Sequence, residues 1–227
     1  METKVKNNSK LGYESVYNRI FKRWLDFTIA LIAIIVLLPI ILLFSLAVLI
    51  DSGFPIFYTP LRGGYNGKPF KIIKYRTMVK DADKIGGGTT ALNDPRITKV
   101  GSILRKVKAD EIVQIFNVLT GTMSFVGPRP EMVENVDKYT EELPEFSYRL
   151  RVKGGLTGYA QIAGKYNTSP KDKLVLDLMY IEKYSLWLDF KLIMQTLTVF
   201  FRASDSTKGF EKEKNKYNKK YIIIHRE

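Results

Sequence analysis

Between Phe27 and Ile50 the chain carries no charged residue, while Lys22, Arg23 and Asp26 precede the run and Asp51 follows it. A backbone surrounded by lipid must satisfy its own hydrogen bonds, so such a segment folds as helix. At ~1.5 Å per residue a helix over this run is about 36 Å long, enough to cross a ~30 Å hydrocarbon core. It exceeds the apolar region of a signal peptide, and no small-residue cleavage site follows, so it is expected to be retained. Pro39 lies near its middle. Proline lacks a backbone donor and crowds the carbonyl four residues earlier, so a kink is expected there. Two topologies fit these residues, a kinked spanning helix and a re-entrant hairpin that enters and leaves by one face. The basic arm before it (Lys4, Lys6, Lys10, Arg19, Lys22, Arg23) places the N-terminus in the cytoplasm. A spanning helix would then carry the remaining chain outside, away from nucleotides.

The 227 residues are enough for one domain with a core plus an anchor. The net charge of +13 favours anionic partners, and beside an apolar anchor the partner it suits is anionic lipid rather than nucleic acid. Cysteine is absent and His225 is the only histidine, next to the C-terminus, which excludes thiolate zinc sites and argues against a histidine-based triad. Acid–base or nucleophilic chemistry therefore falls to Asp, Glu, Lys, Tyr, Ser or Thr.

Residues 1–18 are polar and expected to be loose. Pro55–Tyr58 and Phe70–Arg76 read as strands, and Asn66-Gly67 between them is a hairpin turn signal. Asp81–Arg96, with Gly86-Gly87-Gly88, reads as a mobile loop; no Gly-Lys-Ser/Thr follows to make it a P-loop. Ile103, Leu104, Val107, Ile112, Ile115, Phe116 and Leu119 recur at helical spacing, so a helix is expected over Val100–Leu119 with Gly121 as its stop. Val152–Ala163 is glycine-rich and irregular. Lys171–Ser185 and Leu186–Phe201 read as helices. The broad apolar face of the second suits the core, a lipid surface or a second copy of the chain. Residues 208–220 form a lysine-rich tail.

Asp110-Glu111 interrupts an otherwise apolar helical pattern, with Arg105, Lys106 and Lys108 before it and Pro128-Arg129-Pro130 after it. Adjacent carboxylates are common on solvated helix faces. Here the neighbouring cations would lower the carboxylate pKa values and also attract phosphate. Two prolines fix the backbone around Arg129, and a guanidinium on a stiff loop suits phosphate binding.

In order, these residues resemble the bacterial sugar transferase family, the small monotopic phosphoglycosyl transferases. The resemblance covers about Phe21 to Phe201. It rests on Lys22-Arg23-Trp24-Leu25-Asp26 before the proline-broken helix, Arg62 to Phe70 and Lys74 to Met78, Asp94 to Thr98, and Gly101 to Arg105 leading into Asp110-Glu111. Met123 to Pro130, Gly155 to Gln161, Asp177, Tyr180, Ser185 and Leu188-Asp189 complete it. The chain departs from the family pattern at Ala109-Asp110-Glu111-Ile112-Val113-Gln114, where Leu-Asp-Glu-Leu-Pro-Gln is usual. It departs again at Leu38-Pro39 in place of Ser-Pro, and at Gly154-Gly155 in place of Pro-Gly. None of these removes a catalytic group.

The resemblance implies a reaction in which Asp110 attacks the β-phosphorus of a UDP-sugar and UMP leaves. Polyprenyl phosphate, such as undecaprenyl phosphate, then takes the sugar-phosphate from the aspartate. It implies Mg2+ at or near Asp110, Glu111 as a helper, and Arg129 as a phosphate holder, with Lys74, Arg76 and Arg105 as weaker candidates for that task. It also implies re-entry at Pro39 and an active site at the cytoplasmic face of the bacterial inner membrane. The expected fold is α+β, mostly helical with a small β-hairpin, divided into a basic N-terminus (1–18), a membrane hairpin (19–51), a catalytic domain (52–204) and a basic tail (205–227). Nucleic acid is not expected as a partner, and a homodimer is open. Two other functions compete: a non-catalytic basic membrane scaffold, and a nucleotide-sugar hydrolase that needs no lipid acceptor.

Overall fold

The computed structural model describes residues 17–86, 94–163 and 169–201; the expected terminal arm, Gly87-Gly88 and the lysine-rich tail lie outside them. A single turn of π-helix, Tyr17–Phe21, leads into α1 (Lys22–Ser52). By length and composition α1 suffices to cross a membrane. The helix continues through Pro39 and does not divide into two. It is not a free stalk. Lys22, Asp26, Ala30, Ile41 and Val48 form a buried stripe along one side. Most of the other side is exposed aliphatic surface, with Val36 68% and Ile50 78% exposed.

The rest of the chain packs against that stripe at both ends of α1. At the start, the Lys22 ammonium pairs with Asp189, and Arg23 donates to the carbonyls of Val118 and Leu119 at 2.8 and 2.7 Å. The Phe125 amide donates to Asp26 Oδ1 at 3.2 Å. At the far end, the Val100 amide donates to Asp51 Oδ2 at 2.9 Å, and the Arg76 guanidinium donates to the carbonyls of Ser52 and Gly53. Arg76 thus satisfies carbonyls that every helix leaves orphaned at its C-terminus.

After α1 the chain makes the expected hairpin. Strand β1 (Phe57–Tyr58) pairs antiparallel with β4 (Lys74–Tyr75), and β2 (Leu61–Arg62) pairs with β3 (Phe70–Lys71). Asn66 and Gly67 take positive φ of 54° and 73° at its tip, as a tight Asn-Gly turn requires. The expected loop at 81–96 contains a short helix, α2 (Ala82–Gly86), and ends on Asp94, which binds the Arg96 side chain twice, at 2.9 and 2.7 Å.

The helix expected over Val100–Leu119 is in fact three pieces. Helix α3 (Lys99–Lys106) is capped by Thr98, whose hydroxyl accepts from the Gly101 amide at 3.0 Å. Lys108 then adopts a left-handed conformation (φ 54°, ψ 26°), which breaks the i→i−4 ladder. A 3-10 segment, Ala109–Gln114, follows, and α4 (Ile115–Thr120) runs on to Gly121. Periodicity could not reveal the break, because lysine is not a residue that announces positive φ.

Strand β5 (Ser124–Val126) pairs in parallel with β6 (Gly155–Thr157), inside the stretch expected to be irregular. The crossover between them holds α5 (Val133–Glu142) and a 3-10 stretch, Pro144–Arg151. Gly127, just after β5, has no room for a side chain: a Cβ there would lie 2.3 Å from the Lys153 carbonyl. Helices α6 (Tyr159–Ala163), α7 (Pro170–Glu182) and α8 (Leu186–Phe201) close the fold. Tyr180, Met179, Leu176, Leu188 and Leu192 form the main core against β5. On α8, Leu188 and Leu192 face inward, while Leu186, Trp187, Phe190, Met194 and Leu197 are exposed.

Candidate active site

The break at Lys108 sets the site. It turns the chain so that Asp110 and Glu111 begin the 3-10 segment, alongside strand β4. From β4, Lys74 Nζ donates to Glu111 Oε1 at 2.6 Å. From the loop after β5, Arg129 grips the same carboxylate with both terminal nitrogens, Nη2 to Oε1 at 2.7 Å and Nη1 to Oε2 at 3.2 Å. Three of the expected site residues therefore meet directly: Glu111, Lys74 and Arg129. Burial pushes the Glu111 carboxyl up, but Arg129 and then Lys74 outweigh it and hold it down at about 2.

Asp110 behaves in the opposite way. Among the described residues its carboxylate enters no ion pair. Burial and the adjacent Glu111 charge raise its pKa, against the weaker pull of Lys74 and Arg105. The expectation that the preceding cations lower both carboxylates thus fails for Asp110, and the cations that lower Glu111 are Lys74 and Arg129. Arg105 donates through Nε to Thr77 Oγ1 at 2.7 Å and reaches Asp110 only by its field. Arg76 is not part of the cluster; it is buried at the C-terminus of α1.

The Pro128-Arg129-Pro130 turn is held from behind. The Gly155 amide donates to the Pro128 carbonyl at 2.9 Å, and Arg149 Nη2 donates to the Arg129 carbonyl at 2.8 Å. Arg149 is itself sealed in the interior, 2.8 Å from Asp177 Oδ2. Glu131 lies beside this pair and accepts from Lys173 at 3.0 Å. Burial raises the Asp177 carboxyl to about 6 despite Arg149. Sequence reasoning placed Asp177 in a motif but gave it no partner, and passed over Arg149 and Glu131; nothing in their spacing from Arg129 joins them to it.

No group of three or more acidic or histidine side chains fit to hold a metal occurs among the described residues. Both Glu111 oxygens already accept from cations, so Asp110 is the carboxylate left for one. A divalent ion of the magnesium kind is commonly held by one or two carboxylates together with substrate phosphates and water, and this donor set fits that case alone. An anionic centre flanked by Lys74 and Arg129, beside an unpaired carboxylate, suits phosphoryl chemistry, in which positioning and charge neutralisation do most of the work.

Comparison with known proteins gives a consistent result. The sequence pattern of the family described as bacterial sugar transferase matches residues 17–203. The chain is 40% identical over 189 residues to the UDP-glucose:undecaprenyl-phosphate glucose-1-phosphate transferase of Escherichia coli K12, an alignment covering 81% of this chain and 40% of that protein. It is 37% identical over 181 residues to a Caulobacter vibrioides protein of the same description, covering 78% of this chain and 68% of that one. With an uncharacterised sugar transferase of Bacillus subtilis it shares 38% over 179 residues, 78% of this chain and 86% of the relative. The chain thus spans only 40% to 42% of the length of several of the curated relatives it matches.

Proposed function

The chain belongs to the bacterial sugar transferase family, and from that premise we propose that it moves a sugar-1-phosphate from a UDP-sugar to a polyprenyl phosphate such as undecaprenyl phosphate, releasing UMP. The observation that carries this reading is the division of labour between adjacent carboxylates: Glu111 is neutralised by Lys74 and Arg129, whereas Asp110 has no cation bound to it. A carboxylate nucleophile needs its lone pair available and positive charge close by to receive phosphate.

In the first step an Asp110 Oδ atom bonds to the β-phosphorus and the bridging P–O bond to the α-phosphate breaks, so UMP departs with that oxygen. In the second, a phosphate oxygen of the lipid bonds to the same phosphorus and the Asp110–phosphorus bond breaks, which restores the carboxylate. Arg129 and Lys74 receive phosphoryl oxygens in this scheme, and Glu111 fixes where both cations stand. Mg2+, when bound, supplies neutralisation of the diphosphate charge, with Asp110 as its protein ligand.

We place the catalytic domain on the cytoplasmic face of the membrane, with α1 entering and leaving lipid by the same side. The support is that both ends of α1, at Lys22–Asp26 and at Asp51–Gly53, are bonded to the one folded body. Tags on both termini should then be inaccessible from outside intact cells; an exposed C-terminal tag would sink this topology.

The reaction is tested by UMP release from detergent-solubilised protein with a panel of UDP-sugars, magnesium and undecaprenyl phosphate. Acceptor-dependent release from one sugar is expected. Full-rate release without acceptor would mean a hydrolase, and none from any sugar by a folded protein would favour a scaffold.

A further inference from the structure

The cations around the candidate site are almost all tied to oxygen atoms. Lys74 and Arg129 share Glu111, Arg149 is paired with Asp177, Lys173 with Glu131, and Arg105 with the Thr77 hydroxyl. Arg62 is not. It enters no ion pair among the described residues, and its Nε is buried with no hydrogen-bond partner there. A buried guanidinium N–H without an acceptor is costly and calls for a reason.

Its place in the fold supplies one. Strand β2 carries Arg62 opposite Phe70, and the backbone of Arg62 also bridges to Met132. The next amide, Gly63, donates to the Glu131 carbonyl at 3.0 Å. The hairpin edge is therefore laced to the chain directly after Arg129-Pro130. Burial, then the neighbouring Arg129 charge, lower the Arg62 pKa, partly offset by Glu131, Tyr58 and Glu111. Arg62 thus lies within the field of Arg129, and of the two only Arg129 has a carboxylate in contact, which leaves a surplus of positive charge beside Glu111. An anion of substrate is what such an arrangement lacks.

We infer that Arg62 is a second phosphate-holding residue of the site, which together with Arg129 takes one phosphoryl group of the substrate. This rests on the transferase reading above. The chemistry is shared by the diphosphate of a UDP-sugar and the headgroup of a polyprenyl phosphate, so the two are tested apart. Purified full-length protein in detergent with magnesium is titrated in one arm with UDP and in the other with undecaprenyl phosphate, using wild type, Arg62→Gln and Arg62→Lys.

Loss of a charge-assisted contact should weaken one probe at least about tenfold in Arg62→Gln, with part of the affinity returned by Arg62→Lys. The arm that weakens identifies the phosphate held. The melting temperature without ligand should not fall, since a half-buried charge with no ion-pair partner is removed. Should Arg62→Gln fail to fold, Arg62→Met keeps the apolar stem in place and reads the same loss. Unchanged affinity for both probes overturns the inference while leaving the transferase reading intact. A folded wild type that binds neither probe overturns that reading and the inference with it.

Discussion

Two guanidinium–carboxylate pairs lie on opposite sides of the Pro128-Arg129-Pro130 turn, and their distances are almost equal: 2.7 Å for Arg129–Glu111 and 2.8 Å for Arg149–Asp177. Their surroundings differ. Side-chain exposure is 48% and 27% for the outer pair and 2% for each partner of the inner one. Their titration differs in sign: the outer carboxyl is held down at about 2, and the inner is pushed up to about 6. Burial opposes ionisation in both. Glu111 has two cations in contact and remains partly wet, so the cations win. Asp177 has one guanidinium in contact and is almost fully buried, so burial wins. Distance alone says little about what an ion pair does. The outer pair stays partly open to solvent; the inner one fixes the turn on which the outer guanidinium rides.

The largest expected effect is on activity, at Asp110 beside the outer pair. Asp110→Asn should lower UMP release at least about a thousandfold while the melting temperature stays close to that of wild type. Retained activity would remove Asp110 as nucleophile. Next comes the inner pair: Asp177→Ala leaves the buried Arg149 without its close partner, with only Glu131 at 3.9 Å to oppose its charge, and should cost about 3 kcal/mol of stability in chemical denaturation. A loss near that of a surface pair would collapse the distinction drawn here.

Glu111→Gln should do the reverse, with a stability change of about 1 kcal/mol or less but about a hundredfold lower UMP release, because Lys74 and Arg129 lose their fixed positions. The smallest effect is in pH dependence. For Glu111 the folded value of about 2 lies below its ordinary 4.5, so its contribution is full above about 4.5 and is lost as pH falls toward 2. For Asp177 the folded value of about 6 lies above 3.8, so stability from this group declines as pH rises from about 4 through 6. Denaturation midpoints against pH for Glu111→Gln and Asp177→Asn should each lose one of these slopes and keep the other.

Much of this arrangement is legible in the sequence, and what is not has a common cause. The long apolar helix, the Asn66-Gly67 hairpin, the Gly121 stop and helices α7 and α8 follow from local patterns, which depend on neighbours a few residues away. The meeting of Glu111, Lys74 and Arg129 was expected only as a set of candidates. Their contacts span 37 and 18 residues of chain, a separation no local period reports. The same holds for Arg76. As a cation in a strand near the site it looks like a phosphate binder, yet its acceptors are carbonyls at the end of α1. The break at Lys108 is invisible for another reason: lysine pays a conformational penalty there that only the surrounding packing can justify.

Strand β4 and the residue after it join α1 to the carboxylate cluster. Lys74 reaches Glu111; Tyr75, the next residue, sends its hydroxyl to the Ile41 carbonyl of α1 at 2.7 Å; Arg76 binds the end of the same helix. One strand is therefore a rigid bridge between the long apolar helix and the carboxylate cluster. Any tilt of α1 against the folded body is passed, over three consecutive residues, to the positions of Lys74 and Glu111.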